Sequence, residues 1–180
     1  MSRYIKAGIL AGVVLFIWGF VSWVVFPWHA MTIHHFNSDV AVSQSIQTNA
    51  PISGIYILPL MSQGEKVQNN APQAQPLIFA SVRLNNNAVS PMAMNGPVLI
   101  NFLTQVIAGI LVAWLLSRTQ RLSYLGRVGF VLIVALTACV IKDIPSWIWL
   151  GFDMQYTLVM IGDTLVGWFL AGLVLAKYIR

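Results

Sequence analysis

Residues 7–26 form a twenty-residue stretch without a charged side chain, and residues 97–116 form another. A bilayer's hydrocarbon core takes about 20 apolar residues in helical form. Runs of this kind fix the solvent before they fix the fold. Inside lipid every backbone N–H and C=O must be paired within the segment, which leaves the helix as the structure for an isolated span. Two further stretches qualify, each carrying one charge. One runs from Tyr124 or Leu125 to residue 141 and holds Arg127. The other covers 156–176 and holds Asp163. The rest of the composition agrees. Of 180 residues, 58% are hydrophobic and 8% charged, against roughly 25% charged in a soluble domain. So few charges cannot clothe a soluble globule of this size, and the apolar content is far too high for disorder.

These spans divide the chain. Residues 1–27 hold the N-terminal tip and first span, and 28–96 form an insertion. Residues 97–117 make the second span, 118–123 a basic loop and 124–141 the third span. Residues 142–155 make an aromatic loop, and 156–180 hold the fourth span and C-terminus. The expected fold is an all-α membrane protein, a four-transmembrane-helix bundle with a small α+β extracytoplasmic insertion between its first two membrane helices. Lys142 and Asp143 should end the third span, and Pro145 should break or kink any continuation. Pro97 after Gly96 reads as the start of the second.

Basic residues give the orientation. In a four-span thread, Arg3, Lys6, Arg118, Arg121, Arg127, Lys177 and Arg180 fall on one side, and Lys66, Arg83 and Lys142 on the other. Basic loops stay in the cytoplasm, so both termini are expected there. Tyr4, Tyr124 and Tyr178 mark the inner boundary, and Trp23, Trp28, Trp147, Trp149 and Tyr156 the outer one. The first span reads as a signal anchor. Its apolar core is too long for a cleaved peptide, and the small residue Ala30 has the bulky Trp28 two positions before it.

The exported insertion differs in kind. Asn37 or Ser38 is placed to cap a short helix through about Thr48, with Asp39 in its first turn. Residues 54–60 and 77–84 read as strands joined by a polar loop over 62–75. An isolated hairpin is marginal in water, so this one should pack on the preceding helix or on the membrane surface. The insertion is either a cap that orders the bundle, or a docking surface or lid.

Within the spans, Asp163 is the most informative residue, because a charge there is costly and implies a bundle-facing position. Gly167 and Ala171 share its helical face, and small residues let another helix approach. Gly8, Gly12 and Gly19 form a similar stripe on the first span, together with Leu15 and Ser22. Matching depths suggests a polar cluster of Asn101, Gln105, Thr137, Lys142 and Asp163, with Ser22 nearby. Lys142 would reach in by snorkelling. Such a cluster is either interhelical glue or a site for a proton or small solute.

Other chemistry is sparse. Cys139 stands alone, so an internal disulfide, a redox CxxC pair and a thiolate zinc site are excluded. This removes small disulfide oxidoreductases and the claudin and tetraspanin types. The basic residues form no patch suited to nucleic acid. His29, His34 and His35, with Met61, Met92 and Met94 on the same side, are copper-compatible donors, but their spacing makes no ligand set. No nucleophile elbow, HExxH or phosphate loop is present, and no repeat suggests an inverted-repeat transporter. No cofactor is expected.

The chain resembles a family of small, uncharacterised bacterial four-span membrane proteins. The resemblance is carried by Ala-Gly-Val-Val-Leu-Phe-Ile-Trp-Gly-Phe (11–20), Pro27-Trp28, Gly-Ile-Tyr (54–56), Tyr-Leu-Gly-Arg (124–127) and Gly-Asp-Thr-Leu-Val-Gly-Trp (162–168). It implies a bacterial inner-membrane setting and transfers no activity or ligand. The leading expectation is a non-enzymatic accessory or interaction subunit. Its partners would be the lipid bilayer and a second copy or another membrane protein. The alternatives are a small carrier or channel using the Asp163 cluster, and an enzyme or metal binder at the outer interface using His29, His34, His35 and Asp39.

Overall fold

A computed structural model describes residues 2–59, 76–84, 91–119 and 122–179, side chains of 91–94 excepted. The chain is mostly helical. In order come α1 (Arg3–Val24), a 3₁₀ turn (Ala30–Thr32), α2 (Asp39–Asn49), β1 (Gly54–Leu58), β2 (Ile78–Val82), α3 (Pro91–Ser117), α4 (Tyr124–Leu150) and α5 (Met154–Tyr178). Four of these helices, α1, α3, α4 and α5, are long and apolar enough to cross a membrane. Ile17, Leu111, Ile133 and Ile141 leave more than half of their surface uncovered. Lipid solvates such side chains and water does not.

Two helices overrun their expected ends. α3 begins at Pro91, so Pro97 lies inside it. α4 continues to Leu150 through Lys142, Asp143 and Pro145. The charges do not stop α4 because they pair with each other at 3.2 Å while their backbones stay helical. Lys142 is 62% exposed and extends outward, while Asp143 turns into the seam with α5. Gly151, with φ of 70°, then ends the helix in the left-handed region, where a side chain would be strained. Asp153 caps α5 at once, its carboxylate accepting from the Gln155 and Tyr156 amides at 2.7 and 3.1 Å. Asp153→Ala should cost about 1 kcal/mol, read as a lower unfolding midpoint in detergent.

The helices stand in the order α3, α1, α5, α4, and α3 barely touches α4. The apolar core gathers toward the end that holds both termini. It joins Ala7, Ala11 and Leu15 of α1, Val112 and Leu116 of α3, Val131 of α4, and Ala171 and Leu175 of α5. Toward the other, distal end the helices part. Leu99 and Ile100 of α3 and Ile148 and Trp149 of α4 are all exposed.

The insertion sits at that distal end. Ser38 caps α2 by accepting from the Ala41 amide at 3.2 Å, which agrees with the sequence expectation. β1 and β2 pair antiparallel, with Tyr56 opposite Ala80. The polar loop expected over 62–75 lies outside the described residues. The hairpin rests partly on the α4–α5 turn, with the Phe79 ring 6.4 Å from that of Phe152 and Leu77 against Gly151.

Candidate functional site

The buried polar side chains at the distal end of α1 meet in one cluster. α1 ends at Val24 and the chain turns at Pro27, which brings Trp28 and His29 back over the last turn of the helix. The last carbonyls of a helix lack intrahelical donors. Trp28 supplies one: its indole N–H donates to the Ser22 carbonyl at 3.2 Å and to Ser22 Oγ at 3.0 Å. His29 stacks on Trp23, ring centres 3.9 Å apart and 6° from parallel. Its Nε2 lies 3.0 Å from Ser22 Oγ. Ser22 and His29 are both fully buried.

α5 closes the cluster. Gly167 faces Trp18 and Leu15 of α1 so closely that a Cβ would stand 2.8 Å from Trp18 Cδ1. The glycine lets the indole lie against α5. One turn away on the same face, Asp163 receives the indole N–H, on its backbone carbonyl at 3.1 Å and on Oδ1 at 2.7 Å. Asp163 Oδ2 lies 3.6 Å from His29 Nε2. α1, the turn after it and α5 are thereby pinned together through one carboxylate.

The proton positions follow from the partners. His29 Nδ1 is buried and has no hydrogen-bond partner among the described residues. A proton on Nε2 points at Ser22 Oγ and at the carboxylate. A bare Nε2 would set its lone pair against that of Asp163 and strand a buried N–H on Nδ1. The Nε2–H tautomer meets the carboxylate and leaves no imidazole N–H stranded.

A serine, a histidine and an aspartate within reach of one another call for a test against nucleophilic catalysis. In a triad, one ring nitrogen takes the serine proton and the other is held by the carboxylate. Here Ser22 and Asp163 both address Nε2, and the nucleophile is sealed from any substrate. The arrangement is a clamp.

The residues expected to surround Asp163 are placed elsewhere. Asn101 is exposed, and Gln105 is partly buried with its backbone carbonyl beside Gly12. Both lie on α3, and α1 stands between α3 and α5. Thr137 is exposed and donates to the Ile133 carbonyl at 2.9 Å. Lys142 pairs with Asp143 at 3.2 Å. None of the four hydrogen-bonds or ion-pairs with Asp163 among the described residues. Trp18 and His29 take that role instead. The signal for Trp18 was its position four residues before Ser22, on the same helical face. The signal for His29 was the Pro27 turn that folds it back.

On the packing faces, Gly8 meets Ile110, Gly12 meets Val106 and Ala171 is fully buried. No atom of the described residues lies within 4 Å of where a Cβ on Gly19 would stand. Gly19 points as Gly12 does, but α1 and α3 have diverged by that level. His34 and His35 are exposed, and the described residues contain no group of three or more His, Cys, Asp or Glu able to hold a metal. Met61 and the side chains of Met92 and Met94 lie outside the described residues. No family model, curated protein or solved structure matches the chain.

Proposed function

We propose that this protein is a non-enzymatic integral membrane protein, an accessory or interaction subunit whose distal cap docks a partner protein. The distal side is the extracytoplasmic side of a bacterial inner membrane, and both termini are cytoplasmic. That orientation is supported by Arg3, Lys6, Arg118, Arg127 and Lys177, which all fall at the terminal end of the bundle.

One observation carries the docking role: the hairpin is apolar on both faces. Ile55 and Ile57 share a face with Phe79 and the single polar residue Ser81, while Tyr56 and Leu58 share the other with Ile78, Ala80 and Val82. A sheet with one wet face alternates apolar and polar residues. This one does not, and what covers it is incomplete. Ile55 remains 60% exposed, and Leu58 and Ile78 are also exposed. Apolar faces of this kind mark contact surfaces, and among the described residues both strands keep an unpaired edge of the kind that takes a third strand. The clamp is consistent with this reading, since it fixes the start of the insertion to the bundle.

A photo-crosslinking residue at Ile55, in the full chain in its native membrane, should give a discrete protein adduct that Ile57→Asp abolishes. Mild-detergent purification with mass spectrometry should recover the same partner. Adducts to lipid alone, or an adduct indifferent to Ile57→Asp, would overturn the docking role.

A further inference from the structure

A second buried carboxylate lies outside the clamp. On α4, Val128, Val131, Ala135, Cys139 and Asp143 form the buried stripe that packs on α5. Asp143 is its distal member. The side chain is 9% exposed, Oδ1 holds Lys142 at 3.2 Å, and Oδ2 is buried with no partner among the described residues. Beside it is a cavity of about 210 Å³ between the distal ends of α4 and α5, lined by Lys142, Asp143, Ser146, Tyr156 and Thr157 among others. The Phe152 ring at its edge lies under Phe79 of the hairpin.

The hydrogen bonds around this cavity fix what it can accept. The Ser146 hydroxyl donates to the Lys142 carbonyl at 2.8 Å, and the Thr157 hydroxyl donates to the Asp153 carbonyl at 2.8 Å. Their protons are committed, so each oxygen has only lone pairs left to offer. The Asp143 carboxylate, itself part of the cavity lining, is a third acceptor. Three acceptors match the three N–H bonds of a primary ammonium. They offer nothing to a quaternary one beyond charge. Lys142 supplies the opposite complement, a flexible cation beside the acceptors.

Depth adds a source. Lys142 lies 15 residues beyond Arg127 on α4, roughly 22 Å along the axis. A hydrocarbon core of about 30 Å that begins near Arg127 ends about 20 residues beyond it, one turn past Lys142 and close to Ser146 in the cavity wall. Lipid head groups occupy that level. We propose that the cavity binds a phosphoethanolamine head group. The ammonium donates to Asp143, Ser146 Oγ and Thr157 Oγ1, and the phosphate faces Lys142 Nζ. The lipid is phosphatidylethanolamine of the leaflet on the distal side.

The test is thermal unfolding of the full chain in neutral detergent, with phosphatidylethanolamine, phosphatidylcholine or phosphatidylglycerol of identical acyl chains added. Phosphatidylethanolamine should raise the midpoint by about 3 °C, and the other two by less than about 1 °C. Native mass spectrometry should show about tenfold preference for ethanolamine over choline lipid, the scale set by charge-assisted hydrogen bonds. Asp143→Asn should abolish the preference and Lys142→Gln should reduce it. If Asp143→Asn does not fold, Ser146→Ala removes one acceptor and should lower the preference alone. Equal effects of ethanolamine and choline lipids overturn the proposal, as does a preference that survives Asp143→Asn, or Ser146→Ala where Asp143→Asn does not fold. Soluble phosphoethanolamine giving the whole shift would make the site one for a free solute. The same shift from sodium chloride over choline chloride would make it an alkali-cation site. Either result overturns the lipid assignment.

Discussion

Gly12→Val is expected to separate α1 from α3 and to lower stability by about 3 kcal/mol or more. A Cβ on Gly12 would stand 2.5 Å from Val106 Cα. The obstructing atom is backbone, so no rotamer change relieves it and the helices must part. The crossing has no slack nearby, because Gly8 sits against Ile110 and Gly109 of α3 sits against the Gly8 carbonyl. In lipid the cost is direct. The tails are as apolar as the side chains, so association rests on close packing that separation removes. Phe16 and Phe102, 5.3 Å apart edge to face, would be drawn apart as well. Gly19→Val is the control. Among the described residues nothing lies within 4 Å of its Cβ position, so stability should hold within about 0.5 kcal/mol. Reversible unfolding in detergent, followed by helical circular dichroism, measures both. Equal midpoints for Gly12→Val and wild type would disprove the tight crossing.

The contrast between those two glycines shows what could be read from the residues. Hydropathy gives the number and centres of the long helices, because twenty apolar residues in a row have one economical solution in lipid. It does not give their ends. Pro97 reads as a helix start and Pro145 as a breaker, yet each lies inside a helix and forgoes one backbone bond there. Spacing places Gly8, Gly12 and Gly19 on one stripe, but a stripe carries no record of where a crossing neighbour leaves it. Asp163 announces its need of a partner by its position in a span. Its partners depend on which helix stands beside α5, and depth matching is blind to that. With α1 there and α3 beyond it, the partners become Trp18 and His29 and exclude Asn101 and Gln105. Asp143 reads as the end of a span because it follows a lysine. It is buried because two neighbouring residues on a helix point about 100° apart, so one can face solvent and the other the seam.

Asp163→Leu is expected to open the clamp and lower stability by about 2 kcal/mol, the scale for leaving buried polar partners unmatched. Trp18 would keep its bond to the residue 163 carbonyl but lose the 2.7 Å bond to Oδ1, and His29 would face an apolar side chain with only Ser22 to meet Nε2. Asp163→Asn should cost about half as much. An amide oxygen still accepts from the indole, while its N–H₂ faces Nε2 and favours the other imidazole tautomer. Trp18→Phe removes the donor from the other side. The double variant Asp163→Leu with Trp18→Phe should therefore fall short of the sum of the two single losses by about 1 kcal/mol. Limited proteolysis gives the local readout, since the turn at 27–32 should become cleavable in Asp163→Leu while the α4–α5 turn stays protected. Additive losses would mean that the contact holds nothing together. Wild-type stability in Asp163→Asn, with every cellular phenotype of the protein lost, would show that the carboxylate serves chemistry instead of architecture. The closed geometry argues against that second result: a carboxylate whose oxygens already face Trp18 and His29 has little left to offer a solute.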